Sequence, residues 1–504
     1  MYPSIPMPTA APVSAILLTA LLCLSPGAFA KPYWEQEWSE IRTPNFIIVS
    51  ALDQKKSLKL AQELESFRSV VGVFTNISNV PERVPTHIYL FPSRAPEVGL
   101  GEKADGYFMG HMRGNFMPMY FRYYRQALVI LQHEYAHFLT YNHSAHDYPA
   151  WFTEGFAEVL STVEVDGDKA EYGKPPENRI KWLAGASWEN FSWILEPTKL
   201  RERSGRKVAM FYAQSWALAH YLMLGRKGHD FRKEMSLYME LIASGRATDD
   251  AFLEAFGEPV RDLKRNVLGY LKGGIPYVRL TLNNAYPVSE MWTRTLAGDE
   301  VAARIGILCI LNGKNKEAQK YLEAALKLNA DNGDALVGMA DLHKFEKRFE
   351  QAIPLYERAI AVEPDNAMHE LDYGEYYLDR AKEEQDPAAL KQWVELARQH
   401  LGRSLQLDEG NPEAMTMLGA TYLAQGESAH VAVDKLLLAS EKLPANFDIK
   451  MYLALAYVSA GMPEMAIPIA RRIHRMTHGG KSGAAARLLA EIDPGFAQEQ
   501  EEED

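Results

Sequence analysis

One recurrence limits what the carboxy-terminal half of this 504-residue chain can fold into. Ala318, Leu322 and Ala325 return 34 positions later as Ala352, Tyr356 and Ala359; Asn332 returns as Asn366, and Gly306 as Ala340. A fixed period of this length means stacked supersecondary units, each too small to bury an apolar face alone. Small residues fall where the two helices of a unit cross, and Pro364 closes one unit. A third unit begins near Ala367 with Gly374 and Tyr377. It is lengthened by roughly ten residues around Glu383-Glu384-Gln385-Asp386-Pro387 before Ala397 resumes the phase. A fourth unit, with Gly419 and Tyr422, and a fifth, with Ala456 and Ala466, follow less regularly.

The period and its small residues resemble the tetratricopeptide repeat (TPR). The resemblance implies an all-α solenoid over residues 299–492 whose concave face binds a peptide or protein partner. Such arrays rarely carry catalysis themselves. Residues 493–504 end in Glu501-Glu502-Glu503-Asp504 and read as an acidic, solvated tail. Residues 276–298 hold Pro276 and Pro287 with little periodicity and follow Gly273-Gly274, so a linker or domain-closing segment is expected there.

Chemistry is concentrated elsewhere, in Gln132-His133-Glu134-Tyr135-Ala136-His137-Phe138. The run Leu128-Val129-Ile130-Leu131 leads in and Phe138-Leu139 leads out, so this H-E-x-x-H motif belongs on a helix. His133 and His137, four apart, stack on one face. Two neutral imidazoles so placed can hold one Zn²⁺, and Glu134 can take a proton from a water that the metal acidifies. The plainer reading is a buried helix whose histidines hydrogen-bond within the core.

A zinc site of this kind needs a third protein ligand and one open position. Downstream lies Pro149-Ala150-Trp151-Phe152-Thr153-Glu154-Gly155-Phe156-Ala157-Glu158, where Pro149 can open a second helix that carries Glu154 across the first. Here the chain resembles the gluzincin metallopeptidases of the peptidase MA-like group, with H-E-x-x-H, a short connection and then W-[F/L]-x-E-G-x-A. The resemblance implies an α+β zincin-like domain over residues 31–275, a mixed sheet with active-site helices. It implies His133, His137 and Glu154 as ligands of one catalytic Zn²⁺, and Glu134 as general base. His143 stands where the metzincin pattern has a third histidine, but Thr140 occupies that pattern's glycine, and a β-branched residue resists the sharp break required there. His143 and His146 therefore read as loop residues.

Before the motif, Asn45-Phe46-Ile47-Ile48-Val49-Ser50 and Thr86-His87-Ile88-Tyr89-Leu90-Phe91 read as strands around a helix from Lys55 to Phe74. Gly99 and Gly101 lack the strand–turn–helix context of a nucleotide fingerprint and belong to a loop. By the zincin resemblance, Tyr107, Phe108 and Gly110 lie on an edge strand over the substrate channel, where an extended peptide pairs with it; the plainer reading is a Met-rich core strand. After Glu158 a largely helical stretch is expected to about Lys272. Glu158, one turn beyond Glu154, reads either as orienting a ligand imidazole or as a surface carboxylate. Tyr212, in Phe211-Tyr212-Ala213-Gln214-Ser215-Trp216, matches the tyrosine of aminopeptidase-type gluzincins that stabilises the oxyanion; the alternative is a core tyrosine.

A net charge of −12 argues against a nucleic-acid partner. Residues 1–30 read as a secretory signal: the apolar core Ala15–Leu24 is short for a membrane span, and Ala28-Phe29-Ala30 fits small-x-small cleavage after Ala30, although no Lys or Arg precedes the core. No later segment is apolar enough to cross a membrane. Cleavage removes Cys23 and leaves Cys309 in an apolar helical run, which suits a bacterial periplasm. No G-x-S-x-G elbow is present. The sequence thus reads as an exported zinc endopeptidase acting on peptides or proteins, with an inactive zincin–TPR interaction scaffold as the alternative. A purely structural zinc fits poorly, since such sites close with four ligands, usually rich in cysteine.

Overall fold

The computed structural model describes residues 31–496 apart from 75–83, 102–104, 144–147, 186, 197–203, 283–286, 427 and 477–479. The signal expected at 1–30, His146 and residues 497–504 of the acidic tail lie outside the described residues. No helix among the described residues is long and apolar enough to cross a membrane.

Nine strands are formed among the described residues: β1 (Trp38–Arg42), β2 (Phe46–Ser50), β3 (Thr86–Phe91), β4 (Met109–His111), β5 (Gly114–Tyr120), β6 (Glu164–Asp166), β7 (Lys169–Tyr172), β8 (Val278–Thr281) and β9 (Trp292–Leu296). Six make a mixed sheet in the order β4-β5-β3-β2-β1-β9, so β4 is an edge. β2, β3 and β5 run parallel, and the remaining pairs are antiparallel. The central strands are apolar at nearly every position because both sheet faces are covered. Ile48, Ile88 and Met117 stand in register and face one core, while Val49 and Tyr89, one residue on, face another.

The first core is closed by helices α1 (Gln54–Phe74), α2 (Tyr124–His143), α3 (Ala150–Leu160), α4 (Glu177–Gly185), α5 (Phe191–Leu195), α6 (Gly205–His220), α7 (Phe231–Ala243), α8 (Thr248–Phe256) and α9 (Val260–Lys272). One difference from the expected helical run is the hairpin β6–β7, turned by Gly167-Asp168 with Gly167 at φ 61°. Glycine next to a short polar residue is a hairpin-turn signal. α3 lies so close to α6 that a Cβ on Gly155 would collide with the Ser215 carbonyl oxygen and sit 2.8 Å from Ala219 Cβ. Gly155→Ala is therefore expected to cost about 3 kcal/mol, since backbone cannot move aside as a side chain does. A thermal melt equal to that of the parent would contradict this packing.

The second core belongs to both halves of the chain. The helices α10 (Gly298–Leu311), α11 (Asn315–Leu328), α12 (Gly333–Phe345), α13 (Phe349–Val362), α14 (Ala367–Glu383), α15 (Pro387–Leu407), α16 (Pro412–Gln425), α17 (Ala429–Lys442), α18 (Phe447–Ser459), α19 (Pro463–Met476) and α20 (Gly480–Ile492) stack as successive pairs with α20 at the end. Small residues sit at the crossings as the period requires: Cβ positions on Gly306, Gly374 and Gly419 would come within 2.7–2.9 Å of Leu322, Leu401 and Leu436. The insertion in the third unit is taken up as helix, α14 and α15 running to 17 and 21 residues. Asp386 caps the second of these by accepting from Ala389 N, with Pro387 at its first turn. Val301, Ile305 and Leu308 of α10 pack on Trp38, Phe91 and Leu296 of the sheet. Cys309 is buried there, and burial pushes its thiol up to about 12.

Residues 276–298 are accordingly not a free linker. β8 pairs with β7, and β9 pairs with β1 along its whole length, Trp38 opposite Leu296 and Arg42 opposite Trp292. The amino-terminal α+β half and the array are joined through this sheet. Buried Glu40 on β1 ties them further, meeting Arg304 of α10 at 2.6 Å and Arg294 of β9 at 3.2 Å.

Candidate metal centre

α2 runs from Tyr124 through His143 without a break. Thr140 Oγ1 donates to the Ala136 carbonyl at 2.8 Å, so this residue is held within the helix and the metzincin bend is not made. Pro149 precedes α3 as its cap, its carbonyl accepting from the Phe152 and Thr153 N–H groups, and the helix is buried through Trp151, Phe152 and Phe156. These anchors set α3 against α2 with Glu154 turned toward the two histidines.

Three donor atoms converge. His133 Nε2 and His137 Nε2 are 3.1 Å apart, and Glu154 Oε2 lies 3.4 Å from the first and 3.2 Å from the second. Ligands about 2.1 Å from a common tetrahedral centre lie roughly 3.4 Å from one another, so the three atoms form one face of such a tetrahedron and fit a zinc ion. Among the described residues, this is the one group of His, Cys, Asp or Glu side chains so gathered. Burial alone would raise the Glu154 carboxyl, but hydrogen bonds from His133 and His137 outweigh it and hold it down to about 2. Burial lowers His133, while Glu154, Glu158 and Glu134 together raise it. The cluster thus sets a carboxylate anion beside two imidazole rings, a donor set that suits a cation once the imidazoles are neutral.

Glu158 stands behind His133, Oε1 lying 3.3 Å from Nδ1, the ring nitrogen not aimed at the cluster. It is itself gripped by Arg179 of α4 through two contacts, Nε to Oε2 at 3.0 Å and Nη2 to Oε1 at 2.6 Å. A carboxylate here fixes the imidazole's orientation and tautomer. Glu158→Gln is expected to weaken zinc binding by about 10- to 100-fold. Competition against a chromogenic chelator reads this directly, and equal affinity would remove Glu158 from the site. Arg179 also lies over the Tyr212 ring, 5.1 Å from its centre, and that ring is 6.4 Å from the His133 ring. Burial and the nearby Glu154 push the Tyr212 phenol upward, so it stays protonated and able to donate. No motif pointed to Arg179, a single arginine on another helix.

Glu134 and His133 line an open cavity of about 930 Å³, together with Glu158 and Arg179. Ile130, Glu134, Phe138 and Asn142 repeat every fourth residue and form one stripe along α2. The chain leading into β4 passes over this stripe, with the Phe108 and Phe138 ring centres 5.5 Å apart, and Gly110 lies exposed on the edge strand. Tyr107 does not join them. Its hydroxyl donates to the Val98 carbonyl at 2.6 Å and to Asn312 Oδ1 at 2.8 Å, so it is held toward the array. Alternation along an extended chain puts Tyr107 on the opposite side from Phe108, which corrects the channel role expected of it. His143 is the last residue of α2.

The tetratricopeptide-repeat family model matches residues 310–379. The carboxy-terminal region is a TPR array. Matching solved structures include a thermophilic TPR protein of Thermus thermophilus, 20% identical, covering 38% of this chain and 99% of that one at a TM-score of 0.35. Pseudomonas aeruginosa PilF is 16% identical, covering 41% and 97% at 0.29. PilW, a type IV pilus biogenesis factor, is 16% identical, covering 36% and 96% at 0.24. No curated protein matches this chain.

Proposed function

We propose that this chain is an exported zinc peptidase of gluzincin type, with a TPR array that engages protein partners or substrates. One observation carries the reading: two histidines and one glutamate aim three donor atoms at a single point, while Glu134 lies beside His133 on the same helix and faces an open cavity. Three protein ligands leave a position for water or substrate, as catalytic zinc sites do and structural ones do not. Zinc held there would polarise a scissile carbonyl and bring a water's pKa toward neutrality.

This chain's own residues supply the rest. Glu134 accepts the proton of the attacking water and returns it to the leaving amine. Tyr212, kept protonated, donates to the oxygen on which negative charge develops. Glu158 and Arg179 hold His133 in place. Tyr212→Phe is expected to lower kcat by about 100-fold with zinc retained; unchanged turnover would remove Tyr212 from the mechanism.

The peptidase reading is tested by reconstitution. Chelated protein should hydrolyse nothing, and activity should return linearly with added zinc up to one equivalent per chain. One zinc bound with no hydrolysis of any peptide would turn the reading to an interaction scaffold, which the TPR array favours on its own.

A further inference from the structure

We propose that the repeat array is part of the substrate site: the loop Leu443–Asn446 walls a pocket, shared with β4 and α2, that takes an apolar side chain of an extended peptide bound along β4. This rests on the peptidase reading and adds to it a substrate class and a second contributor to the cleft.

The stripe on α2 carries the argument. Its amino-terminal part, Ile130 and Glu134, floors the cavity of about 930 Å³ beside the metal ligands. Its carboxy-terminal part, Phe138 and Asn142, floors a second cavity of about 320 Å³. Glu134 and Phe138 are one turn apart, so the two cavities lie on successive turns of one face of α2. The walls of the second cavity come from both halves of the chain: Phe108 and Gly110 from the β4 side, and Leu443 and Ala445 from the loop between α17 and α18. Among the described residues β4 has a sheet neighbour on one side only, and its Gly110 and His111 line this cavity. An edge strand beside a slot is where an extended backbone adds to a sheet. Phe108, Phe138, Leu443 and Phe447 give the slot an apolar part beside polar His111, Asn115, Asp448 and Arg472, and its volume suits one large side chain with its backbone.

The repeat loop is fixed in place as a wall. Ala445 N donates to Asn142 Oδ1 at 3.3 Å, joining loop to stripe. Met112, at the β4–β5 turn, packs with Met415, Leu443 and Ile449 of the array. The pocket is therefore framed by contacts that exist without substrate.

Ala445→Leu and Ala445→Trp fill the pocket in two steps from a half-buried loop position away from the metal ligands. Both are made in the full chain, and again with Glu134→Gln so that peptides stay intact. Fluorescent peptides that differ at one position, Ala, Leu or Phe, are measured for Kd on the E134Q chains and for kcat/KM on the others. In the parent, Leu and Phe peptides should bind and be cleaved better than the Ala peptide. Ala445→Trp should lower both quantities for these peptides by about 10- to 100-fold and leave the Ala peptide unchanged, with Ala445→Leu between. No loss, or equal loss for every peptide in both variants, overturns the shared pocket. The expected binding pattern without cleavage overturns the peptidase reading and leaves the pocket standing. No peptide binding at all overturns both.

Discussion

Glu134→Gln is expected to lower kcat for peptide hydrolysis by about a hundred- to ten-thousand-fold while one zinc stays bound per chain. The two side chains have the same shape, so the change removes the ability to take a proton and little else. The converging donor atoms belong to His133, His137 and Glu154, and Glu134 is not among them, so zinc affinity should hold. Turnover and metal content measured on one preparation separate the possibilities. Turnover at parent level would exclude Glu134 as the base. Lost zinc would make it a ligand, and the three-donor centre would then be wrong.

The second large effect lies outside the metal centre. Arg113, at the β4–β5 turn, inserts its guanidinium between helices of the array, where it pairs with Asp372, with Glu375 at 3.4 Å and with Glu413 at 3.2 Å. Lys344 lies beside Glu375 and Asp341, each at 3.3 Å. The carboxylates outnumber the two cations, and burial pushes Asp372 and Glu413 upward even against the pull of Arg113. Arg113→Met keeps most of the stem and removes the charge, leaving buried carboxylates without their partner. A loss of about 3–5 kcal/mol is expected, read as an earlier urea midpoint for the transition that separates array from sheet. Adding Glu413→Gln should recover part of it, because a buried carboxyl that has lost its partner is then replaced by a neutral amide. An unchanged midpoint in Arg113→Met would show that the cluster is not buried against the hairpin.

The convergence of His133, His137 and Glu154 was legible because it depends on local spacing. H-E-x-x-H needs only a helix, and Glu154 needs only a second helix crossing the first. The TPR period was legible for the same reason, each unit repeating the same short-range crossing. What the sequence hid was the joining of the halves. Trp292–Leu296 alternates too weakly to announce a strand, with Leu296 its single buried residue, yet it pairs with β1 more than 250 positions earlier. Of the two expectations for residues 276–298, linker or domain-closing segment, Trp292–Leu296 meets the second by pairing with β1. Arg113 and Ala445 carry no motif, and their roles come from neighbours hundreds of residues away. Tyr107 was misread because its side of the chain depends on where the extended stretch begins, and a shift of one residue exchanges cleft for core.

The measurement that bears most directly on the proposed activity is mass spectrometry of a mixed peptide library incubated with the zinc-loaded chain from residue 31 onward. Cleavage at internal bonds, with an apolar preference at one subsite, is the expected result. An intact library beside one tightly bound zinc per chain would contradict a peptidase.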